Sequence, residues 1–260
     1  MIGAIIGDIA GSVYEFTGNK RLDVPLFPEG CDFTDDSIMT VATAEAVLGD
    51  GDYCNAFRKY GARYPSPMGG YGQRFGQWLV TANAPAYGSW GNGAAMRVSP
   101  IGFAFDRLDD VLKEAARSAA VTHDHPEGIK GAQATAAAIW FGRQHASKNE
   151  IRAHVRQRFG YDLSRSVDEI REHYKFNESS QKTVPEALTA FLDSHDFEDA
   201  IRIAISLGGD ADTLACITGG IAEAFYSGIP DTLRLEARKR LAPALLETVD
   251  EFRLKYKEGK

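Results

Sequence analysis

Three glycines spaced four residues apart, Gly3, Gly7 and Gly11, stand in the opening stretch MIGAIIGDIAGSVYEF. Residues four apart lie on one face of a helix. Glycine weakens a helix by roughly 1 kcal/mol relative to alanine, so a stripe of three suits a place where another backbone comes close. The pattern predicts a first helix buried at the centre of the fold. The same stretch carries Asp8 and Glu15, lacks a preceding basic region and is too short to cross a bilayer. Neither secretion nor a membrane span is expected.

Helical signals continue along the chain. Thr34-Asp35-Asp36 precedes a helical run from Ser37 to Leu48, and Tyr53 to Tyr64 reads as a helix stopped by Pro65 and Pro67. Asp109 or Asp110 is expected to cap a helix with Val111, Leu112, Ala115, Ala116 and Ala119 on its inner face. Met96-Arg97 opens another helix, and Pro126 suits the first turn of an alanine-rich stretch to Gln144. Capping-box pairs recur at Ser147 with Glu150, Ser166 with Glu169 and Thr183 with Glu186. Asp196 starts a helix that turns Phe197, Ile201 and Ala204 inward. A further helix spans Asp210 to Tyr226, and Pro243 opens a last one with Leu245, Val249, Phe252 and Tyr256 inside. No strand alternation of useful length and no short repeat interrupts them. The expectation is an all-α single domain over residues 1–260, with the polar stretch from Phe159 to Lys182 as an exposed, variable subregion.

Two matching acidic clusters carry the chemistry. One is Phe33-Thr34-Asp35-Asp36-Ser37; the other is Gly208-Gly209-Asp210-Ala211-Asp212-Thr213. Each sets two carboxylates and a threonine hydroxyl at a helix start. Adjacent carboxylates repel, and the free N–H groups and dipole of a helix N-terminus relieve that repulsion. Divalent cations relieve it further, and hard oxygen ligands suit Mg²⁺, Mn²⁺ or Ca²⁺ rather than zinc. Taken singly, either cluster reads most simply as a cap, and neither has EF-hand spacing. If the two helix starts face each other, four carboxylates and two hydroxyls can hold two ions. A net charge of -7 disfavours general nucleic-acid binding and anionic membranes. Three scattered cysteines, Cys31, Cys54 and Cys216, form no disulfide framework or zinc motif, and read as reduced thiols of a cytoplasmic protein.

Further motifs follow in order. After Gly7-Asp8 and Tyr14-Glu15 come FTDDS at 33–37, GYG at 70–72, GNGAAMRVSP at 91–100, THDHPEGIKGAQA at 122–134 and GGDADTLACITGG at 208–220. This ordered set resembles the ADP-ribosylglycohydrolase family over nearly the whole chain. The resemblance implies a compact, orthogonal all-α bundle that removes ADP-ribose from a modified protein side chain, such as arginine or serine, or from a small ADP-ribose conjugate. It implies two Mg²⁺ or Mn²⁺ ions held by Thr34, Asp35 and Asp36 from one side and Asp210, Asp212 and Thr213 from the other, Asp212 bridging both. Glu15 would act on the scissile bond or its water; the general base is Glu15 or one of the aspartates, Asp36 and Asp210 among them.

Two glycine-rich loops, Met68 to Gly76 and Ser89 to Gly93, offer backbone N–H groups of the kind that bind phosphate oxygens. By resemblance Gly70, Gly72, Ser89, Gly91, Asn92 and Gly93 hold the diphosphate and distal ribose, and His123 contacts the ligand. Trp90 is the first choice for an adenine platform, ahead of Tyr71, Phe75 and Tyr87. Arg97 is expected to be structural, tying a core carboxylate, rather than a phosphate ligand. A monomer is expected. The competing expectation is a non-catalytic relative that binds ADP-ribose, serves a structural role or blocks a toxin.

Overall fold

The computed structural model describes residues 1–226 and 228–256. Among them fifteen helices follow in order: α1 Ile2–Gly11, α2 Asp35–Leu48, α3 Tyr53–Arg63, α4 Gln73–Val80, α5 Gly93–Met96, α6 Ser99–Ala104, α7 Leu108–Ala120, α8 Pro126–Arg143, α9 Lys148–Phe159, α10 Val167–His173, α11 Ser180–Asp193, α12 Phe197–Ser206, α13 Ala211–Tyr226, α14 Asp231–Arg240 and α15 Pro243–Tyr256. The described residues form no strand, only two isolated bridges, Thr34 with Met68 and Gly91 with Ser179. The fold is all-α, as expected. None of these helices is long and apolar enough to cross a membrane.

All ten residues of α1 are buried, and its main partner is α13. The glycine stripe is the reason. A Cβ placed on Gly3, Gly7 or Gly11 would collide with the backbone of Gly219, Ala215 or Ala211 respectively. Position numbers rise along α1 as they fall along α13, so the two helices run antiparallel. The partner stripe Ala211, Ala215, Gly219 has the same spacing and lets the backbones touch. This register fixes the site: it sets the C-terminal end of α1, and Glu15 just beyond, beside the N-terminal end of α13. At the other end, Glu223 Oε2 accepts from the Met1 amino group at 2.6 Å and from Gly3 N at 2.8 Å. Around this pair, α13 also packs on α8, α11 and α12, and α2 on α1, α3, α6 and α15.

Several predicted starts shift. The helix after Asp106 begins at Leu108 with Arg107 as cap, so Asp109 and Asp110 occupy its first turn, where their charge still suits the dipole. Arg97 does not open a helix; it lies between α5 and α6. The Ser147 and Ser166 capping boxes form, but Thr183-Glu186 does not. Tertiary contacts start α11 four residues earlier, with Ser179 as cap: Ser180 N donates to Trp90 O at 3.0 Å and Ser180 Oγ to Gly91 O at 2.7 Å. Thr183 is left inside the helix, donating to Asn177 O, and Glu186 pairs with Arg165 at 2.6 Å. The stretch 159–182 is less exposed than its polarity suggests. Tyr161, Leu163, Val167 and Ile170 are buried, and Glu178 lines the cleft described next.

Candidate active site

The site grows from α1. Its Asp8, wholly buried, accepts Thr34 N and Ser37 N at 3.0 Å each, Thr34 Oγ1 at 2.6 Å, and the Ser37 hydroxyl. Thr34 Oγ1 in turn accepts Asp36 N at 3.2 Å as the cap of α2. One carboxylate thus clamps the whole FTDDS turn. It also orients the Thr34 hydroxyl proton away from the cleft, leaving one oxygen lone pair uncommitted. Beyond α1 the chain turns, Tyr14 N donating to Gly11 O and Tyr14 Oη to Pro25 O at 2.7 Å, and this turn presents Glu15.

The second cluster is launched by Gly208, whose φ of 67° is the left-handed conformation glycine accepts without strain. The Tyr174 ring covers Gly209 so closely that no side chain fits there. Asn92 Nδ2 donates to Asp210 Oδ2 at 2.8 Å and to Thr183 Oγ1 at 3.1 Å. Thr213 Oγ1 donates to Asp36 Oδ1 at 3.4 Å, so the two acidic helix starts meet. Glu15, Asp210 and Asp212 offer carboxylate oxygens within 4.8 Å of one another.

These groups form one wall of a cleft of about 520 Å³. Gly70 and Gly72 line it from one loop, and Ser89, Gly91, Asn92 and Gly93 from the other. Arg74, Tyr87, Arg97 and His123 also line it. Arg97 is fully buried under the Phe57 ring, 4.0 Å from its centroid. Among the described residues it bonds to no carboxylate and instead donates to Ser118 O at 3.1 Å and Thr122 Oγ1 at 3.0 Å. Thr122 Oγ1 is 2.8 Å from His123 Nδ1. This relay is satisfied when Thr122 donates to Nδ1, which leaves Nε2–H toward Gly91 and Gly93.

Burial and the Arg97 and Arg74 charges hold the His123 pKa well below its usual value. The unfolded chain takes up that proton near pH ~6.5. The stability His123 contributes is therefore present above about pH 6.5 and lost as pH falls toward the folded-state value. The melting temperature of His123→Gln, measured from pH 7.5 to 5, should fall less steeply than that of the wild type.

The acidic wall is electrostatically overloaded. Burial, then the charges of Asp210, Asp8 and Glu178, push Glu15 up to about 7. Burial raises Asp8 to about 6 against the lowering effect of its hydrogen bonds. Asp35, Asp36 and Asp212 lie well above the usual carboxylate range, through burial and mutual repulsion. Asp36 Oδ2 is buried without a hydrogen-bond partner. Converging hard oxygens, repulsion and one orphaned carboxylate oxygen are what a divalent cation would satisfy.

A profile of the ADP-ribosylglycohydrolase family matches residues 1–258. The chain belongs to this family. Among ADP-ribosylglycohydrolase relatives, mouse ADP-ribosylhydrolase ARH3 is 26% identical over 304 aligned positions, covering 87% of this chain and 82% of that protein. The ADP-ribosylarginine hydrolase Tri1 of Pseudomonas putida is 27% identical over 268 positions, 88% of this chain and 71% of its own length. A solved ADP-ribosylglycohydrolase-related protein complex shares the fold, with a TM-score of 0.69, 24% identity and coverage of 100% and 97% of the two chains.

Most of the residues singled out from the family resemblance share this cleft. Glu15, Asp35, Asp36, Asp210, Asp212 and Thr213 line it, as do the loop glycines, Ser89, Asn92 and His123. Two residues stand apart. Thr34 is not among the lining residues: it is 1% exposed, and its hydroxyl proton goes to Asp8 while one oxygen lone pair stays uncommitted. Trp90 is half exposed beside His125, on the outer flank between the cleft residues Ser89 and Gly91. Asn92 lines the cleft, but its amide is spent on Asp210 and Thr183. Sequence reasoning passed over Asp8, Arg74, Tyr174 and Glu178. Asp8 stood within a motif; the others had no local signal, because their roles depend on partners far along the chain.

Proposed function

We propose that this chain is a metal-dependent hydrolase that releases ADP-ribose from a modified acceptor, with the terminal ribose over the acidic wall. The observation that carries this is the meeting of two remote acidic helix starts, through Thr213 and Asp36, on the wall of a cleft that Arg74 and Arg97 also line. Asp35, Asp36, Asp210, Asp212, Thr213 and the free lone pair of Thr34 would hold two Mg²⁺ or Mn²⁺ ions. Bound there, such ions act as Lewis acids toward ribose hydroxyls and lower the pKa of bound water.

The protein groups divide the remaining work. Arg74, the glycine-loop N–H groups and the His123 Nε2–H bind the diphosphate and its ribose. Trp90 offers adenine a ring on the outer flank. The carboxylates favour positive charge at the anomeric carbon as its bond to the acceptor breaks, the electron pair leaving with the acceptor atom. Water bonds to that carbon, gives a proton to Glu15, and Glu15 passes it to the acceptor. One water is consumed, and free ADP-ribose and the unmodified acceptor result.

The test is release of free ADP-ribose from ADP-ribosylated peptides with and without Mg²⁺ or Mn²⁺. Glu15→Gln is expected to lower kcat by roughly 10²–10⁴-fold, the range of a lost general base, while metal binding by calorimetry persists. Tight ADP-ribose binding with no metal-dependent release would instead support the non-catalytic reading.

A further inference from the structure

Asn92 stands where three remote segments of the chain meet. Its backbone N–H donates to Glu178 O at 2.8 Å. The residues before it fasten the same two segments, Ser180 N donating to Trp90 O and Ser180 Oγ to Gly91 O. The Asn92 side chain, 7% exposed, then crosses to the third segment. Its Nδ2 donates to Asp210 Oδ2 at 2.8 Å and to Thr183 Oγ1 at 3.1 Å. An ionised carboxylate only accepts, so the amide edge facing Asp210 is the nitrogen. Thr183, wholly buried, gives its own proton to Asn177 O at 3.0 Å and so offers Asn92 a lone pair. Asn92 has one backbone and two amide N–H donors, and all three are committed inside the protein. None is left for a phosphate oxygen.

We infer that Asn92 is a positioning residue: it braces the Asp210 carboxylate to receive a cation and takes no direct part in holding the nucleotide. This rests on the metal-dependent hydrolase reading above. Asp210 lies just before α13 and can turn about its side-chain bonds. Glu15 and Asp212 offer carboxylate oxygens within 4.8 Å of its own, so mutual repulsion favours swinging it away when no cation is bound. The amide bond to Oδ2 opposes that swing and fixes the direction in which the other oxygen faces. The brace cannot follow Asp210, because Thr183 holds its amide and Glu178 its backbone. A ligating carboxylate held by such an outer hydrogen bond loses less freedom when the cation arrives, and the cation binds more tightly. Asn92 thereby acts on the reaction through Asp210 alone.

The experiment titrates Mn²⁺ alone into the full chain by calorimetry, and then ADP-ribose at saturating Mn²⁺. Asn92→Leu has nearly the same shape and removes both amide donors. Its Mn²⁺ affinity is expected to fall by roughly 10- to 100-fold, the range for loss of a hydrogen bond to a ligating carboxylate. Its ADP-ribose affinity at saturating Mn²⁺ should change by less than about twofold, as for an independent site. Thr183→Val releases the far end of the amide without touching Asp210, and should weaken Mn²⁺ by about tenfold, the low end of that range. It carries the test if Asn92→Leu does not fold. Thr183→Ser, which keeps the hydroxyl, should match the wild type. Mn²⁺ affinity unchanged in Asn92→Leu and Thr183→Val overturns the brace alone. So does a marked loss of ADP-ribose affinity at saturating Mn²⁺, which would make Asn92 a nucleotide ligand. A wild type that binds no Mn²⁺ overturns the metal-dependent reading and the brace with it.

Discussion

Asp36→Asn is expected to have opposite effects on catalysis and on metal-free stability. Activity should fall by roughly 10³-fold or more, because a hard anionic ligand is lost where several kcal/mol of charge stabilisation is needed. The metal-free variant, by contrast, should melt at a higher temperature than the metal-free wild type at pH 7. Asp36 is raised well above the usual carboxylate range by burial, then by the charges of Asp8, Asp35 and Asp210. A carboxyl group whose folded-state pKa is raised stabilises the fold below its unfolded pKa of ~3.9, and that contribution is lost as pH rises through the folded value. An asparagine carries no charge and escapes that burial penalty and repulsion, and its amide nitrogen places a donor among acceptors. Relief of one unsatisfied buried group is worth about 1–3 kcal/mol. Adding Mg²⁺ should reverse the order, since ligand at a hundredfold its Kd stabilises the wild type by about 2.7 kcal/mol. Calorimetric melts of both proteins at pH 4.5 and 7, with and without Mg²⁺, check every part. Equal metal-free melting temperatures at pH 7 would mean that the acidic wall is not strained.

Gly7→Val should be the most damaging single change outside the cleft. The added atoms meet the carbonyl of Ala215 and the nitrogen of Cys216, which are backbone and cannot swing aside. The α1 and α13 backbones must separate, and overpacking of this kind costs about 1–3 kcal/mol or more. Trimming the partner with Ala215→Gly should not rescue it, because the obstruction is not the Ala215 side chain. The denaturant midpoint is the measurement. Metal affinity should fall in any residual folded fraction, since α1 carries Asp8, which holds the Asp35-Asp36 turn against Thr213. Additive effects in the double variant are expected, and a rescued double variant would place the tight contact at the Ala215 side chain.

Much of this site was legible because its parts are local. Thr34-Asp35-Asp36 announces a helix start through its own side chains, Thr34 capping Asp36 N, and such capping needs only neighbouring backbone. Ser147 and Ser166 behave the same way. Thr183 shows the limit: its spacing to Glu186 satisfies the capping rule, yet bonds from Ser180 to Trp90 and Gly91 move the helix start upstream. Asn92 shows it again. A glycine-rich neighbourhood suggests phosphate binding, but the amide is taken by Asp210 across 118 positions.

Read alone, the chain determined its helical class, the stripe that demands close packing, and the two carboxylate pairs that seek a cation. These follow from periodicity, missing Cβ atoms and charge, all properties of short segments. Tertiary structure alone decided that α1 and α13 run antiparallel in a register that brings Glu15 to Asp212. It also decided that Asp8 clamps the opposite turn, and that Glu178 of the polar stretch 159–182 lines the cleft. Such contacts join residues far apart along the chain, and packing chooses them only when the whole core closes.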